Sequence, residues 1–217
     1  MTRTAFFLLS LMLPTSALAF DKPDLTPPEI QQLERGKAII SVWKDKTREH
    51  SPSISQGGID IMVPAYRIWE IMLDCDRMYE ISSDIRECDV LEEAEDKTWD
   101  IRKQKFAVSP YLPKFNSTFR TDYSGNERDG LVMTITKISG DLKVQEGRWD
   151  IIPLSLTDTR VIYQAAIEPN FPIPDRVIRK QVGIGIPEIL RNLRDVAEAD
   201  QAMSLQKNVA MPDDPAL

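Results

Sequence analysis

The sequence predicts an α+β protein in which an antiparallel sheet packs against one long C-terminal helix. Between residues 87 and 167, short alternating segments are separated by polar or glycine-bearing turns, which is typical of β-strands. Connections this short join antiparallel strands. After Pro172 and Pro174, apolar residues recur at the spacing of one helix stripe, at Ile178, Val182, Ile186, Ile189, Leu193 and Val196. A helix with one apolar stripe must bury it, so we expect this helix to lie against the sheet.

Residues 1–19 have the features of a secretory signal peptide. Arg3 supplies the positive n-region, an apolar core follows, and Ala17-Leu18-Ala19 is a small-residue cleavage signal before Phe20. The core is shorter than the ~20 apolar residues of a membrane anchor. A lipoprotein would have a cysteine directly after the cleavage signal, whereas this chain has Phe20. We therefore expect secretion across an inner membrane into a periplasm, with residues 1–19 removed.

The composition argues against nucleic acid as a partner. The 217 residues carry a formal net charge of -7, from 27 Lys and Arg against 34 Asp and Glu, and no polybasic run interrupts this balance. An acidic chain repels phosphate backbones at long range. The chain remaining after cleavage has the length of a single domain with a substantial core.

Residues 20–56 are predicted to add a helix and an edge strand to the main domain. Thr26-Pro27-Pro28-Glu29 is a helix start with a capping box, and Gly36 ends that helix. A strand over 38–44 is expected to pair with a strand over 59–63. The segment between them, which contains Gly57 and Gly58, is expected to be a long loop.

The loop also holds His50, the only histidine of the chain. With no Cys or Asp/Glu cluster at metal spacing around it, His50 is best interpreted as a solvated side chain. This interpretation excludes Ser-His-Asp and Cys-His hydrolases, since no other side chain offers that general base. Gly-rich phosphate loops, HExxH and CxxC motifs are also missing. We predict no metal, no cofactor and no catalytic residue of these types.

The first core helix is predicted over 64–73, followed by a short helix over 78–81. Asp74 and Asp76 lie between them and favour a turn over a catalytic acid. Cys75 and Cys88, the only cysteines, are a candidate disulfide in an exported protein. Two separate buried thiols are the alternative, because sequence does not give the distance between the two Cα atoms.

The predicted strands of the sheet cover 89–91, 98–106, 117–123, 131–138, 144–152 and 159–167. Period-2 spacing places large apolar side chains on one continuous face that looks toward the C-terminal helix. Most of these residues are ordinary core, but aromatic and Met side chains together suit an adaptable cavity. The proline-bounded loop 107–113 is expected to gate a pocket or to contact a membrane or a protein. The alternative is that it packs against the sheet edge.

The C-terminal helix contains Gly183, Gly185 and Pro187, which predict a kink. The kink follows a curved sheet or opens a cavity. Residues 201–217 lack periodicity and are predicted to be a disordered tail.

Two groups of motifs resemble a known superfamily. The first is Ile59-Asp60-Ile61-Met62-Val63-Pro64-Ala65 followed by a helix ending in Asp74. The second is Gly147-x-Trp149 with Pro153 four residues further, T-x-V-x-Y over 159–163, a proline-rich segment and a last helix ending in LRNLR. Residues 57–200 thereby resemble the START-like (SRPBCC) superfamily, which includes polyketide cyclase/dehydrase-like and coenzyme Q-binding proteins. The resemblance implies a helix-grip fold, with a sheet wrapped around the C-terminal helix and an apolar cavity between them.

We predict that this cavity binds or transports an apolar small molecule such as a lipid or an isoprenoid quinone. The predicted ligand-binding residues are Phe106, Phe119, Tyr123, Met133, Trp149, Tyr163, Ile178, Val182 and Ile186. A cyclase/dehydrase-like enzyme is the alternative, with Asp74, Tyr123, Asp150 and Tyr163 as candidate acid and base groups. A protein-interaction module that uses the 107–113 loop is the third hypothesis.

Overall fold

The computed structural model describes residues 20, 23–46, 52–107, 113–170 and 172–210. The signal peptide, His50 and most of the 107–113 loop therefore lie outside the described residues. The helices are α1 (Pro27–Glu34), α2 (Ala65–Leu73), α3 (Met78–Ile81) and α4 (Asp175–Ala210). The strands are β1 (Ile39–Lys44), β2 (Ser53–Ile61), β3 (Ile85–Glu93), β4 (Trp99–Phe106), β5 (Phe115–Asn126), β6 (Gly130–Gly140), β7 (Leu142–Pro153) and β8 (Thr159–Pro169).

The strands form one curved antiparallel sheet in the order β1-β2-β8-β7-β6-β5-β4-β3. From β3 to β8 each strand pairs with the next along the chain, which confirms the predicted meander. β2 then pairs with β8, with Ile61 opposite Thr159, and β1 pairs with β2 as the predicted hairpin. The hairpin therefore extends the meander on the β8 side, and β1 is an edge of the sheet.

The prediction of a long loop that reaches to residue 59 is wrong in extent, because β2 already begins at Ser53. Gly57 and Gly58 lie inside this strand, where glycine marks a close approach of another element. A Cβ on Gly57 would lie 2.6 Å from Ile186 Cγ2, and one on Gly58 would lie 2.6 Å from Ile162 Cδ1. Lack of side-chain volume, not loop formation, thus explains the glycine pair. The predicted boundary between residues 56 and 57 falls within β2.

Helix α4 lies across one face of the sheet, and all residues of the predicted stripe except Ile178 pack in or against the main core. Leu190 and Leu193 are fully buried there, together with Ile59 of β2 and Ile151 of β7. The helix continues without interruption through Gly183, Gly185 and Pro187. Burial of the stripe against the sheet offsets the unfavourable helix propensity of these three residues.

Disorder from residue 201 onward was predicted, and this is wrong for 201–210, where α4 continues to Ala210. The sequence QAMSLQKNVA contains good helix formers and no glycine or proline, so an established helix propagates through it. Residues 211–217 lie outside the described part of the chain. Among the described helices, none has the length and apolar character needed to cross a bilayer.

A 3-10 turn over Cys75–Arg77 connects α2 and α3, which correspond to the helices predicted over 64–73 and 78–81. Cys75 and Cys88 form a disulfide with their Cα atoms 5.5 Å apart, which ties this turn to β3. Arg77 Nη1 donates to Asp200 Oδ2 at 2.6 Å, and Asn192 Nδ2 donates to the Ile81 carbonyl at 3.0 Å. The α2–α3 segment is thereby attached both to the sheet and to α4.

The N-terminal segment covers the opposite face of the sheet. Helix α1 has the predicted capping box at Thr26 and Glu29. Its Leu33 is fully buried against Ile39 and Ile162. Upstream, the carbonyl of Phe20 accepts a hydrogen bond from Arg148 Nη1 at 3.2 Å. Phe20 and residues 23–36 therefore lie on the outer face of the sheet, where Leu33 contributes to a small second core.

Candidate functional site

A cavity of about 280 Å3 lies between the concave face of the sheet and α4. This volume is close to the lower limit of small-molecule sites in proteins. Its walls include five of the predicted ligand-binding residues on the sheet, Phe106, Phe119, Met133, Trp149 and Tyr163. They also include the three predicted on the helix, Ile178, Val182 and Ile186. The structure thus brings these eight side chains together, and their role in ligand binding stays a prediction.

Strand alternation explains why these side chains share one surface. Trp149 and Tyr163 are opposite each other in the β7–β8 register, and their rings stack with centroids 4.0 Å apart. Gly147 leaves space for them, because a Cβ there would lie 3.5 Å from the Tyr163 ring and 3.3 Å from Ile135 Cδ1. Burial raises the pKa of Tyr163 to about 12. Its hydroxyl therefore remains a neutral group of the wall at physiological pH.

Tyr123 is the predicted ligand-binding residue that does not form part of the cavity wall. Its ring packs edge-on against Trp69 with centroids 5.4 Å apart. Its hydroxyl donates to Asp100 Oδ2 at 2.5 Å and accepts from Arg102 Nη2 at 2.7 Å. The two polar partners, Asp100 and Arg102, lie on β4. Period-2 alternation along β5 alone does not predict contacts with another strand. Tyr123 thus belongs to a buried polar network beside the cavity.

Sequence reasoning missed the polar face of β4. Asp100, Arg102 and Gln104 are all buried and point inward with Phe106. The signal was present, because these four residues are two apart and Phe106 was already predicted to bind the ligand. Arg102 and Gln104 form part of the cavity wall. This side of a mainly apolar cavity is therefore polar.

The polar network is held by Arg102, whose guanidinium uses several of its donors. Nε donates to Asp100 Oδ2 at 2.9 Å, and Nη1 and Nη2 donate to the carbonyls of Met72 and Leu73, both at 3.1 Å. Those carbonyls end α2 and lack helical partners, so a cation stabilises them. Arg102 thereby connects β4, β5 and α2 behind the cavity.

Two polar atoms beside this network have no hydrogen-bond partner among the described residues. They are Asp100 Oδ1 and Thr121 Oγ1, and both are buried. Their residues are direct neighbours in the β4–β5 register, and Thr121 forms part of the cavity wall. A buried polar atom without a partner is unfavourable by about 1–3 kcal/mol. A hydroxyl or a water molecule at this position would relieve that cost.

Asp84 is a carboxyl group of the cavity wall on the turn between α3 and β3. Burial raises the pKa of Asp84, and the nearby negative charge of Glu188 raises it further, against the opposing effect of Arg86. Glu188 also accepts a hydrogen bond from Ser83 Oγ at 3.2 Å, which connects this turn to α4. Sequence reasoning did not identify Asp84, because its exposure depends on how the turn meets the helix.

The residues named for the enzyme alternative do not meet in one place. Asp74 is exposed and accepts from the Asp76 backbone N–H at 3.0 Å, so it stabilises the 3-10 turn. Asp150 is buried on the outer face, where both its oxygens accept from Arg148 at 2.7 Å. Tyr163 alone of the four is part of the cavity wall. The described residues contain no group of three or more His, Cys, Asp or Glu side chains that could hold a metal ion.

Comparison with solved structures shows the same fold in proteins of low sequence identity. The Zhui aromatase/cyclase from Streptomyces sp. R1128 is 15% identical, with a TM-score of 0.57 over 67% of this chain and 93% of that chain. A STAR-related lipid transfer protein from Xanthomonas axonopodis is 13% identical, with a TM-score of 0.59 over 73% and 93%. Human StAR-related lipid transfer protein 5 is 10% identical, with a TM-score of 0.65 over 80% and 93%.

No curated protein matches the sequence. The model of the family described as "Polyketide cyclase / dehydrase and lipid transport" matches residues 61–194. These residues run from the end of β2 to Arg194 within α4, and they include the residues that line the cavity. The START-like helix-grip fold expected from the sequence is therefore confirmed, and the chain belongs to the polyketide cyclase/dehydrase and lipid transport family.

Proposed function

We propose that the protein binds an apolar small molecule, such as a lipid or an isoprenoid quinone, and carries it in the periplasm to which residues 1–19 would direct it. The observation that carries the proposal is the cavity between the sheet and α4, whose wall consists mainly of aromatic, Met and aliphatic side chains. Transfer of each CH2 of a ligand from water to such a wall is favourable by about 0.8 kcal/mol. Several similar structures are described as lipid transfer proteins, which agrees with this function.

The polar side of the cavity supports a ligand with one small polar group. Arg102, Gln104 and Thr121 are the polar wall residues beside the buried network. Few but well-placed polar groups fix the orientation of a ligand in an apolar site. A quinone carbonyl or a lipid hydroxyl placed there would have donors within reach, and the rest of the molecule would contact apolar walls.

The first test is native mass spectrometry of mature protein purified from the periplasm, followed by organic extraction. We expect a co-purified apolar molecule at near-stoichiometric level, whose mass identifies its class. A protein that is empty and also fails to bind a fluorescent apolar probe on titration would contradict the proposal.

A matched pair of variants tests the position of the ligand. Gly185 is part of the cavity wall, whereas Gly183 is not, and a Cβ at either position meets no atom within 4 Å. Gly185→Leu should therefore occupy part of the cavity and weaken probe binding by tenfold or more. Each CH2 of the probe that is excluded from the wall loses about 0.8 kcal/mol of favourable transfer free energy. Gly183→Leu adds the same side chain to the same helix and should leave binding unchanged. Equal affinities of the two variants would place the ligand elsewhere.

Acid–base catalysis in the same cavity is the second candidate. The observation that favours it is Asp84, a wall carboxyl whose pKa is raised by burial, because a raised carboxyl pKa is common among catalytic acids. An Asp84→Asn variant should then retain the extracted molecule in a form that differs in mass from the wild-type extract. Identical extracts would favour the carrier.

A further inference from the structure

A second recess lies at the end of the sheet where α4 begins. Its volume is about 350 Å3, and the polar residues of its wall include Lys44, Ser53, Lys143 and Glu168. Ser53 is opposite Ile167 in the β2–β8 register, so the two side chains share one face of the sheet. Ile167 also forms part of the wall of the apolar cavity. Ser53 therefore lies at a polar end of the concave face.

The recess adjoins the apolar cavity. Four residues form part of both walls, and all of them are apolar, namely Ile167, Pro169, Ile173 and Ile178. A molecule that extends past these side chains would have its chain among aromatic and aliphatic groups and its other end among polar ones.

The charged side chains of the recess already have partners. Lys143 Nζ donates to Glu168 Oε1 at 3.3 Å, and Lys44 also interacts with a partner. Neither lysine is therefore a free charge that would attract an anion. A cation would approach the two ammonium groups, which repel it. The recess thus favours a neutral polar group over either kind of ion.

Two polar atoms of wall residues have no hydrogen-bond partner among the described residues. Ser53 is only 4% exposed, and its Oγ is one of them. Glu168 Oε2 is the other, and a carboxylate oxygen needs a hydrogen-bond donor. Buried polar groups are normally paired in folded proteins. A bound group that completes this recess must therefore be able to donate hydrogen bonds.

Hydroxyl groups fit both atoms. A hydroxyl donates to a carboxylate oxygen, and it either donates to or accepts from another hydroxyl such as that of Ser53. We propose that this recess holds a neutral head group with at least two hydroxyls, of the glycerol type, and that the attached apolar chain lies in the main cavity. This inference rests on the proposed function and specifies its ligand as a neutral hydroxylated lipid, such as a monoacylglycerol.

The test is displacement of N-phenylnaphthylamine, a neutral fluorescent apolar probe, from the mature protein. Monooleoylglycerol has two hydroxyls, and methyl oleate has the same chain and ester group without them. We expect monooleoylglycerol to bind about five- to tenfold more tightly than methyl oleate, since one or two neutral hydrogen bonds contribute that much. Oleate has a carboxylate that only accepts hydrogen bonds, so it should bind more weakly than monooleoylglycerol.

Two serine variants connect this preference to the recess. Ser53→Ala removes a hydroxyl that has no partner in the free protein, so it should not lower the midpoint of denaturant unfolding. The same variant should weaken the binding of monooleoylglycerol severalfold and leave that of methyl oleate unchanged. Ser55→Ala is the control, because Ser55 Oγ donates to the Ala165 carbonyl at 3.4 Å and Ser55 belongs to neither wall. This variant should change neither affinity.

The outcomes separate this inference from the function beneath it. If monooleoylglycerol and methyl oleate bind equally well, or if Ser53→Ala weakens both to the same degree, the head-group site is wrong and the apolar carrier stands. If oleate binds most tightly, the neutral head group is wrong. If the fluorescent probe does not bind and no lipid binds, the proposed function fails and this inference fails with it.

Discussion

At the scale of single residues, the Asp100–Arg102–Tyr123 network determines what the inner face of the sheet can accommodate. Two charged groups are buried there, and burial of charge is tolerated only with close partners. Arg102 contacts a carboxylate, a phenol and two helix-terminal carbonyls. The network thus keeps one polar side in a mainly apolar cavity, and it fixes α2 against β4.

Removal of the Tyr123 hydroxyl should lower stability. Tyr123→Phe leaves the buried Asp100 carboxylate with Arg102 as its remaining side-chain partner. Loss of a hydrogen bond to a buried charged group is expected to lower the free energy of unfolding by about 1.5–3 kcal/mol. Denaturant unfolding measures the change. Tyr79→Phe removes the same group from a side chain that is 66% exposed and should change stability by less than ~0.5 kcal/mol; equal effects would contradict a stabilising network.

Stability should fall in alkaline solution because of Tyr163. Its pKa is raised to about 12 in the folded protein, against ~10 for an unfolded tyrosine. Between these values the unfolded chain has lost the proton and the folded chain has kept it, so unfolding is favoured as pH rises. The free energy of unfolding should therefore be constant with respect to this group below pH ~10 and decline toward pH ~12.

Denaturant unfolding between pH 8 and 12 checks this expectation. Tyr163→Phe should reduce the decline in that range, since it removes the titrating hydroxyl. Burial also raises the pKa of Tyr123, so Tyr123→Phe should reduce the decline further. A slope that is identical in Tyr163→Phe and wild type would contradict the assignment.

At the scale of elements, the fit between β2 and α4 decides where the helix lies. Gly57 allows the side chains of Ile186 and Leu190 to approach the backbone of β2. The contact between these two side chains and the Gly57 backbone is close-packed, as is usual in protein interiors. Ile186 belongs to the apolar stripe and also to the cavity wall. The distance between α4 and the sheet therefore contributes to the volume of the cavity.

Two glycine substitutions should change stability in opposite directions. Gly57→Ala places a Cβ 2.6 Å from Ile186 Cγ2 and is expected to lower the free energy of unfolding by about 1–3 kcal/mol. Gly183→Ala adds a Cβ that meets no atom within 4 Å in a helix interior, so it should raise stability by up to ~1 kcal/mol. Thermal and denaturant unfolding give both signs. A neutral Gly57→Ala would show that the helix moves away without cost.

At the scale of the whole molecule, the sheet has two covered faces with different roles. The inner face and α4 enclose the cavity. The outer face is covered by residues 23–36 and carries ion pairs such as Arg160 with Asp60. The family model begins only at residue 61. The N-terminal hairpin and helix therefore extend the sheet and cover its outer face beyond the part of the chain that the family model matches.

Processing at the predicted cleavage signal is testable on the whole chain. Phe20 would be the first residue of the mature protein, and its carbonyl contacts Arg148 on the outer face. We expect the periplasmic fraction to contain a protein that begins at Phe20, by N-terminal sequencing or intact mass. An Ala19→Arg variant should block cleavage, because the signal requires small residues. A cytoplasmic protein that retains Met1 would contradict export.

The sequence by itself determined the features that depend on neighbours along the chain. The capping box of α1, the six-strand meander and the apolar stripe of α4 follow from residue spacing and turn chemistry, and all are present. The inward residues Phe119, Met133 and Trp149 follow from period-2 alternation in the same way. Cys75 and Cys88 could be named as a candidate disulfide pair, although the spacing alone did not exclude two separate thiols.

Only the tertiary structure decided the features that depend on residues distant along the chain. Tyr123 has the spacing of a wall residue, but its partners on another strand, Asp100 and Arg102, draw it into a polar network. Gly57 is a residue type typical of loops, yet it lies in a strand, where Ile186 and Leu190 of a helix far along the chain pack against it. The physical reason is the same in both cases: the environment of a buried side chain is made by packing partners, and local periodicity does not contain the identity of those partners.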